Sequence, residues 1–312
     1  MKKTILDFQK MKVDKSPVTW ITSYNYWQAK AAEKAGIDLI LCGDSYGNVE
    51  CGYTSTIPVN LPDMIKVTES VRRGAPSTFL VGDFPMGCYE ESNAQAINSA
   101  VQFIKAGADA IKLERASDSI LARIRAISDV GILVFAHLGV TPQTAMNLAG
   151  GYRCVGKTVE SFEVVMREAL SIQDAGASFL LLEGMPKSSA EQIAKKLKIP
   201  VYGIGAGNQT DGSLMIFHDL CGLFPDFRPY FGKCYVKDVI SDFLANFPTE
   251  GLKKFGRDTK EDGLLKLSEM CLTKYVKEVR LREFPSSEYT YPIKEEELEA
   301  LRHSPFWNPK NE

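Results

Sequence analysis

QFIKAGADAIKLE, residues Gln102–Glu114, joins the end of an amphipathic helix to a short buried strand. Ala106-Gly107 ends the helix, because glycine just past a helix end takes the left-handed conformation without a Cβ penalty. The run Ala110–Leu113 that follows is continuous rather than alternating in polarity, as expected of a parallel strand covered on both faces. The same Ala-Gly ending precedes two further apolar runs, in AAEKAGID (Ala31–Asp38) and IQDAGASF (Ile172–Phe179).

Working outward, the pattern predicts strands at Val18–Tyr24, Asp38–Gly43, Thr78–Gly82, Ala110–Leu113, Leu133–Ala136, Ser178–Leu182, Val201–Ile204 and Leu214–Phe217, with amphipathic helices between them. About eight β/α units imply an α/β fold, a closed (β/α)8 TIM-type barrel. A doubly wound open sheet is the alternative that the same alternation allows. After Tyr235 the strand pattern stops, and VKDVISDFLANF and GLLKLSEMCLTKYVKEVRLREF read as extra terminal helices. We read residues 1–291 as one barrel domain with helical decoration and 292–312 as a charged C-terminal extension in which Phe306 and Trp307 could dock.

With 312 residues, 45% of them hydrophobic, the chain can bury a substantial core. A formal net charge of −2 and no basic stripe interleaved with aromatics argue against nucleic acid as a partner. Seven cysteines with no C-x-x-C pair suggest a reduced, cytoplasmic chain in which cysteine serves as a small apolar residue. Asp7 interrupts the apolar character of MKKTILDFQKMK, so no signal peptide is expected, and no apolar run reaches membrane-spanning length.

In a parallel barrel the reactive groups gather at the carboxyl ends of the strands. There the sequence places Asp44 and Ser45, Asp83, Lys112 and Glu114, His137, Glu183, and the glycine run Gly203–Gly207. A single Asp after a strand is often only a cap or turn residue. Asp44, Asp83 and Glu114 together are harder to explain so, because clustered carboxylates repel unless a cation joins them. Oxygen-only ligands favour Mg²⁺ or Mn²⁺ over zinc, with Asp44 and Asp83 as direct ligands and Glu114 as a further ligand or the holder of a bound water. Lys112 and Glu114, two apart on a strand, share its inward face. Glu183 follows the apolar run Phe179–Leu182, where partial burial suits a carboxylate to proton transfer; a structural ion pair is its bland reading, as a satisfied buried histidine is for His137. The glycine run lacks the spacing of a dinucleotide fingerprint and reads as a tight turn or a close approach to ligand.

The strings GDS (Gly43–Ser45), SVRRGAP (Ser70–Pro76), GDFP (Gly82–Pro85), IKLE (Ile111–Glu114), HLGVTPQ (His137–Gln143), GGYRCVGK (Gly150–Lys157), LLLE (Leu180–Glu183) and GIGAGNQTDG (Gly203–Gly212) closely resemble the 3-methyl-2-oxobutanoate hydroxymethyltransferase (ketopantoate hydroxymethyltransferase) family of the phosphoenolpyruvate mutase-like superfamily. The resemblance implies an enzyme of pantothenate biosynthesis. It would transfer a hydroxymethyl group from 5,10-methylenetetrahydrofolate to 3-methyl-2-oxobutanoate, giving 2-dehydropantoate, by a Mg²⁺-stabilised enolate. It further implies a homo-oligomer, often a decamer in such families. Asp44 and Asp83 fall on metal ligands that also meet the substrate, with Glu114 beside the metal. Ser45 and Lys112 match residues that hold the 2-oxo acid, His137 lies by the substrate, and Glu183 matches the catalytic base. A metal-dependent 2-oxo acid aldolase or lyase without folate, or a non-catalytic paralogue, are the rival readings.

The sequence departs from the family pattern at Asn25, Tyr53, Val67, Met86, Arg115, Tyr230 and Tyr289. These positions are expected around the site or at subunit contacts rather than on the metal. Arg115 should point away from the metal face of its strand, and Met86 should line a pocket wall beside Asp83.

Overall fold

Every strand predicted from the apolar runs pairs in parallel with its sequence neighbours, and the last pairs with the first. The computed structural model describes residues 2–145, 152–245 and 263–307. Its elements in chain order are α1 (Ile5–Val13), β1 (Val18–Thr22), α2 (Tyr26–Lys34), β2 (Leu39–Cys42), α3 (Tyr46–Val49), α4 (Leu61–Gly74), β3 (Phe79–Asp83), α5 (Asn93–Ala106), β4 (Ala110–Glu114), α6 (Asp118–Asp129), β5 (Leu133–Gly139), α7 (Pro142–Ala145), α8 (Val159–Asp174), β6 (Phe179–Glu183), α9 (Lys187–Lys196), β7 (Val201–Ile204), β8 (Gly212–Met215), α10 (Phe217–Cys221), α11 (Val236–Ala245), α12 (Leu264–Arg280) and α13 (Glu295–Arg302). The sheet is a closed eight-stranded barrel, with Val18 of β1 opposite Gly212 of β8. The open-sheet alternative is thereby excluded. Gly36, Gly107 and Gly176 all have positive φ, as their helix-ending role requires.

Three strands differ from the sequence reading by more than one residue at a boundary. β5 runs on to Gly139, with His137 opposite Glu114 of β4 and Gly139 opposite Glu183 of β6. β1 stops at Thr22, whose Oγ1 accepts the Phe217 N–H 3.0 Å away. The eighth strand lies at Gly212–Met215, and Phe217, expected at its end, begins α10. A short apolar run such as Leu214–Phe217 carries no internal mark of where strand gives way to helix.

Alternate residues face opposite sides of a strand. In β3, β5 and β6 the outward set, Leu80, Val134, Ala136, Leu180 and Leu182, packs against the helix layer. The inward set, including Trp20, Leu39, Leu41, Val81, Phe135, Phe179, Leu181 and Tyr202, fills the barrel. Phe135 stacks on Phe179 at 4.0 Å between ring centroids, and Trp20 leans on Phe135 at 4.9 Å. Phe8 of α1 closes the amino end, edge-on to Phe79 and Phe179, the first residues of β3 and β6. The interior is thus an aromatic plug, and room for chemistry is left only at the carboxyl end.

The terminal helices brace the barrel. Tyr275 of α12 is buried, and its hydroxyl donates to the carbonyls of Trp20 and Ser213, across the β1–β8 seam. Arg280 pairs with buried Asp38, which also accepts from Thr19. In the C-terminal segment, Leu301 of α13 is buried, Ser304 donates to Glu163 of α8 at 2.9 Å, and Phe306 and Trp307 pack against the main core.

Candidate active site

The inward rows that carry Val81, Ala110, Phe135 and Leu181 each continue one or two steps further, and the residue identity changes from apolar to charged. Asp83 follows Val81, Lys112 and Glu114 follow Ala110, His137 follows Phe135, and Glu183 follows Leu181. Strand register sets them side by side: Asp83 is opposite Lys112, and Glu114 is opposite His137. Asp44 and Ser45 come from the loop after β2. All seven residues singled out in the sequence therefore reach one place at the barrel mouth.

They form a continuous polar chain. The Asp44 backbone N–H donates to Asp83 Oδ2 at 3.1 Å. Lys112 Nζ donates to Asp83 Oδ1 at 2.6 Å and lies 3.7 Å from Glu114 Oε1. His137 Nδ1 is 3.2 Å from that same Glu114 oxygen, and its Nε2 is 3.3 Å from Glu183 Oε2. The last contact is not a hydrogen bond, because Nε2 finds no aligned partner among the described residues. Asp44, Asp83, Lys112, Glu114 and His137 are all buried, whereas Ser45 and the Glu183 side chain, 18% exposed, are half-buried.

Ser45 Oγ meets the hydroxyl of buried Tyr24 at 2.8 Å, a partner that the sequence reading did not single out. Gln143 of α7 was quoted in HLGVTPQ but given no role. It donates from Nε2 to Asp44 Oδ2 at 2.9 Å and from its backbone N–H to Glu114 Oε2 at 3.2 Å.

Charge is out of balance here. Burial, then repulsion from Asp83, holds the Asp44 carboxyl well above the usual carboxylate range. Burial also raises Asp83, although Lys112 partly offsets it. Burial works against Glu114 too, but His137 and Lys112 outweigh it and hold that carboxyl below its ordinary value. For Lys112 burial is overcome by the surrounding carboxylates, which push the ammonium up. Burial likewise opposes a charged His137, but Glu114 and Glu183 push the imidazole up to about 9. Four carboxylates thus face two cations, and Lys112 pairs directly with Asp83 and Glu114 while easing the Asp44 charge only in part.

An oxygen-liganded divalent cation fits that deficit. Mg²⁺ commonly takes one or two carboxylates and keeps several waters. Asp44 and Asp83 are the pair with unbalanced charge. Both Glu114 oxygens already meet donors, Lys112 and His137 at one and the Gln143 N–H at the other. Accordingly, among the described residues no three acidic, His or Cys side chains form a ready cation cage.

Of the positions that depart from the family pattern, Arg115 meets this network only through its backbone N–H, which donates to the His137 carbonyl. Asn25 caps α2, accepting from the Trp27 and Gln28 N–H groups. Val67 is buried in the helix layer, not at the mouth. Met86, expected in a pocket wall, is 39% exposed. Arg115 does not continue the alternation of β4: the strand ends at Glu114, and Arg115 turns out with φ of 80°. Tyr53 and Tyr230 are exposed, and Tyr289 packs on Phe284 at 5.9 Å between tilted rings. A cleft of about 470 Å³ opens beside the site, between the start of α9 and the C-terminal segment, lined by Lys187, Ser188, Asn208, Tyr230 and Tyr291 among others. Tyr291 lies next to Gly184, one residue beyond Glu183.

The barrel is shared with solved structures of low sequence identity. A phosphonopyruvate hydrolase in complex with oxalate and Mg²⁺ superposes with a TM-score of 0.56 at 14% identity, covering 91% of this chain and 99% of that one. A 2,3-dimethylmalate lyase, described as a member of the PEP mutase/isocitrate lyase superfamily, superposes with a TM-score of 0.52 at 18% identity, covering 89% and 98%. These likenesses define the class of fold. Residues 2–261 match the family described as ketopantoate hydroxymethyltransferase. A 3-methyl-2-oxobutanoate hydroxymethyltransferase from Geobacillus sp. (strain WCH70) is 41% identical over 302 residues, covering 96% of this chain and 98% of the relative. One from Alkaliphilus metalliredigens (strain QYMF) is 42% identical over 303 residues, covering 96% and 97%. The chain belongs to the ketopantoate hydroxymethyltransferase family.

Among the described residues no helix is long and apolar enough to cross a membrane.

Proposed function

We propose that the chain transfers a hydroxymethyl group from 5,10-methylenetetrahydrofolate to 3-methyl-2-oxobutanoate, giving 2-dehydropantoate, with a divalent cation held by Asp44 and Asp83. The observation that carries this reading is the excess of carboxylate over cation at the mouth, where the Lys112 ammonium is taken by Asp83 and only partly offsets the Asp44 charge. The structural neighbour solved with oxalate and Mg²⁺, a dicarboxylate and a dication together, supports the same chemistry on this fold.

When bound, the cation would supply Lewis-acid stabilisation of the negative charge that develops on a 2-oxo acid's ketone oxygen. The residues do the rest. Lys112 presents a buried ammonium, held at Asp83, that can hydrogen-bond the same oxygen as charge grows there. Ser45, fixed by Tyr24, offers a hydroxyl to the substrate carboxylate. Glu183 is the partly exposed carboxylate at the end of the chain, and it takes the proton from C3. His137, with its Nε2 3.3 Å from Glu183 Oε2, places positive charge beside that carboxylate. Water takes the donor's methylene from the folate as formaldehyde, both C–N bonds breaking and the two nitrogens keeping the protons of the water; C3 then bonds to that carbon, and the alkoxide so formed takes up the proton held by Glu183. The cleft beside Glu183 offers room for that bulkier donor.

The test is product analysis by NMR with 3-methyl-2-oxobutanoate and Mg²⁺, with and without methylenetetrahydrofolate. Formation of 2-dehydropantoate only with the folate supports the reading. Turnover of the 2-oxo acid without it would favour a folate-free lyase or aldolase. Full activity after chelation, with no metal in the protein, overturns the cation.

A further inference from the structure

Gln143 is 2% exposed and uses every polar atom of its amide inside the protein. Nε2 donates to Asp44 Oδ2 at 2.9 Å and to the Phe84 carbonyl at 2.6 Å. Oε1 accepts from the Tyr89 hydroxyl at 2.9 Å. The two ends of an amide are nearly alike in shape, so only its partners decide which way it faces. Here they leave no choice. A carbonyl such as that of Phe84 can only accept. Tyr89 is buried and keeps its proton, so it can donate to Oε1. The nitrogen end must therefore face Asp44.

That polarity is anchored in the helix layer. Tyr89 stacks on Phe84 at 5.5 Å, and Phe84 packs on Phe103 of α5 at 5.6 Å. The neighbouring Cys88 carbonyl accepts from Ser99 of α5 at 2.7 Å. A stretch of rigid aromatic packing thus ends in one N–H aimed at a single carboxylate oxygen. The donor fixes one oxygen of Asp44, Oδ2, and so sets the plane of the carboxyl group and the direction in which Oδ1 points.

We propose that Gln143, locked by Tyr89, is a positioning residue that holds Asp44 as an oriented carboxylate for a divalent cation. The proposal rests on the reading of Asp44 as a cation ligand. Through its backbone N–H on Glu114, Gln143 also ties two of the four mouth carboxylates to the same turn. Groups that orient ligands in this way commonly change metal affinity by about 10–100-fold when removed.

The test uses the full chain, stripped of metal and titrated with Mn²⁺, with free ion followed by electron paramagnetic resonance. Thermal melts of the metal-free proteins are run alongside. Gln143→Met, which keeps length and volume, is expected to weaken Mn²⁺ binding about 10–100-fold. Tyr89→Phe removes one oxygen and leaves Gln143 Oε1 without its donor, loosening the amide, and is expected to weaken binding about fivefold, the worth of one hydrogen bond. If Gln143→Met fails to fold, Tyr89→Phe carries the test alone. Mn²⁺ affinity unchanged in the folded variants, while Asp44→Asn loses it, overturns the positioning role. Tight Mn²⁺ binding in Asp44→Asn overturns instead the ligand assignment on which it rests. A merely structural Gln143 would lower the melting temperature and leave the affinity of the folded protein unmoved.

Discussion

His137 Nε2 stands 3.3 Å from Glu183 Oε2 without pointing at it. Charge holds the pair together, and no directed bond fixes the carboxylate. Glu183 is therefore free to swing toward a substrate, and such contacts often tighten only in the loaded enzyme. Glu183→Gln keeps the size and removes the base. We expect exchange of the C3 proton of 3-methyl-2-oxobutanoate for deuterium, followed by NMR, to slow by about 10²–10⁴-fold. Exchange at the parental rate would hand the role to His137 or to a water.

Lys112 carries the heaviest electrostatic duty, because its side chain is only 3% exposed and it lies against both Asp83 and Glu114. Lys112→Met leaves those carboxylates buried without their cation. Breaking a buried pair in this way costs about 3–5 kcal/mol. We expect the loss in urea denaturation of the metal-free protein, and partial recovery on adding Mg²⁺. No recovery at saturating Mg²⁺ would count against a cation site at Asp44 and Asp83.

Asp219 of α10 gives a pH dependence away from these carboxylates. It is 4% exposed, and burial raises its carboxyl to about 6, with Arg228 and His218 offsetting only part. A carboxyl whose folded value exceeds its unfolded one binds its proton more tightly in the folded state. Stability from this group is therefore greatest below the unfolded value, falls as pH rises through about 4 to 6, and stays reduced above. Asp219→Asn is expected to be more stable than the parent at pH 7 by about 1–2 kcal/mol, with no advantage below pH 4. Denaturation curves from pH 4 to 7.5 measure this, and an equal offset at all pH values would contradict it.

Arg115 sits at φ of 80°, in a region that L side chains enter at a cost of about 1–2 kcal/mol. Its backbone N–H still donates to His137 O at 2.9 Å, so the turn belongs to the β4–β5 edge and the side chain does not. Arg115→Gly should raise stability by about 0.5–1 kcal/mol, after the extra freedom of glycine in the unfolded chain is counted. Arg115→Ala should give no gain. A calorimetric comparison of the two decides it.

The charged rows of the mouth were legible in the sequence because a strand has a period of two. Once Ala110 faced inward, Lys112 and Glu114 had to follow. Gln143 was not legible. A glutamine in a loop has no periodic signature, and its meaning comes from Tyr89, 54 positions away, and Asp44, 99 away. Tyr24 was hidden for the same reason. Arg115 did carry a signal, as a departure from the family pattern, but that signal concerned the backbone and was read as one about contacts. Val67 and Met86 show the opposite error: unusual residues need not stand where the chemistry is.

Phe8 and the aromatic stack above it shut the barrel at its amino end. The site has therefore one entrance, which is also its exit. In the proposed reaction the small 2-oxo acid lies on the carboxylates at the bottom, and the bulky donor above it. A donor that arrived first would stand in the only doorway. The order of arrival is then set by depth: keto acid first, folate second, and release in reverse, with the emptied folate leaving before the new carbon–carbon product can rise past it.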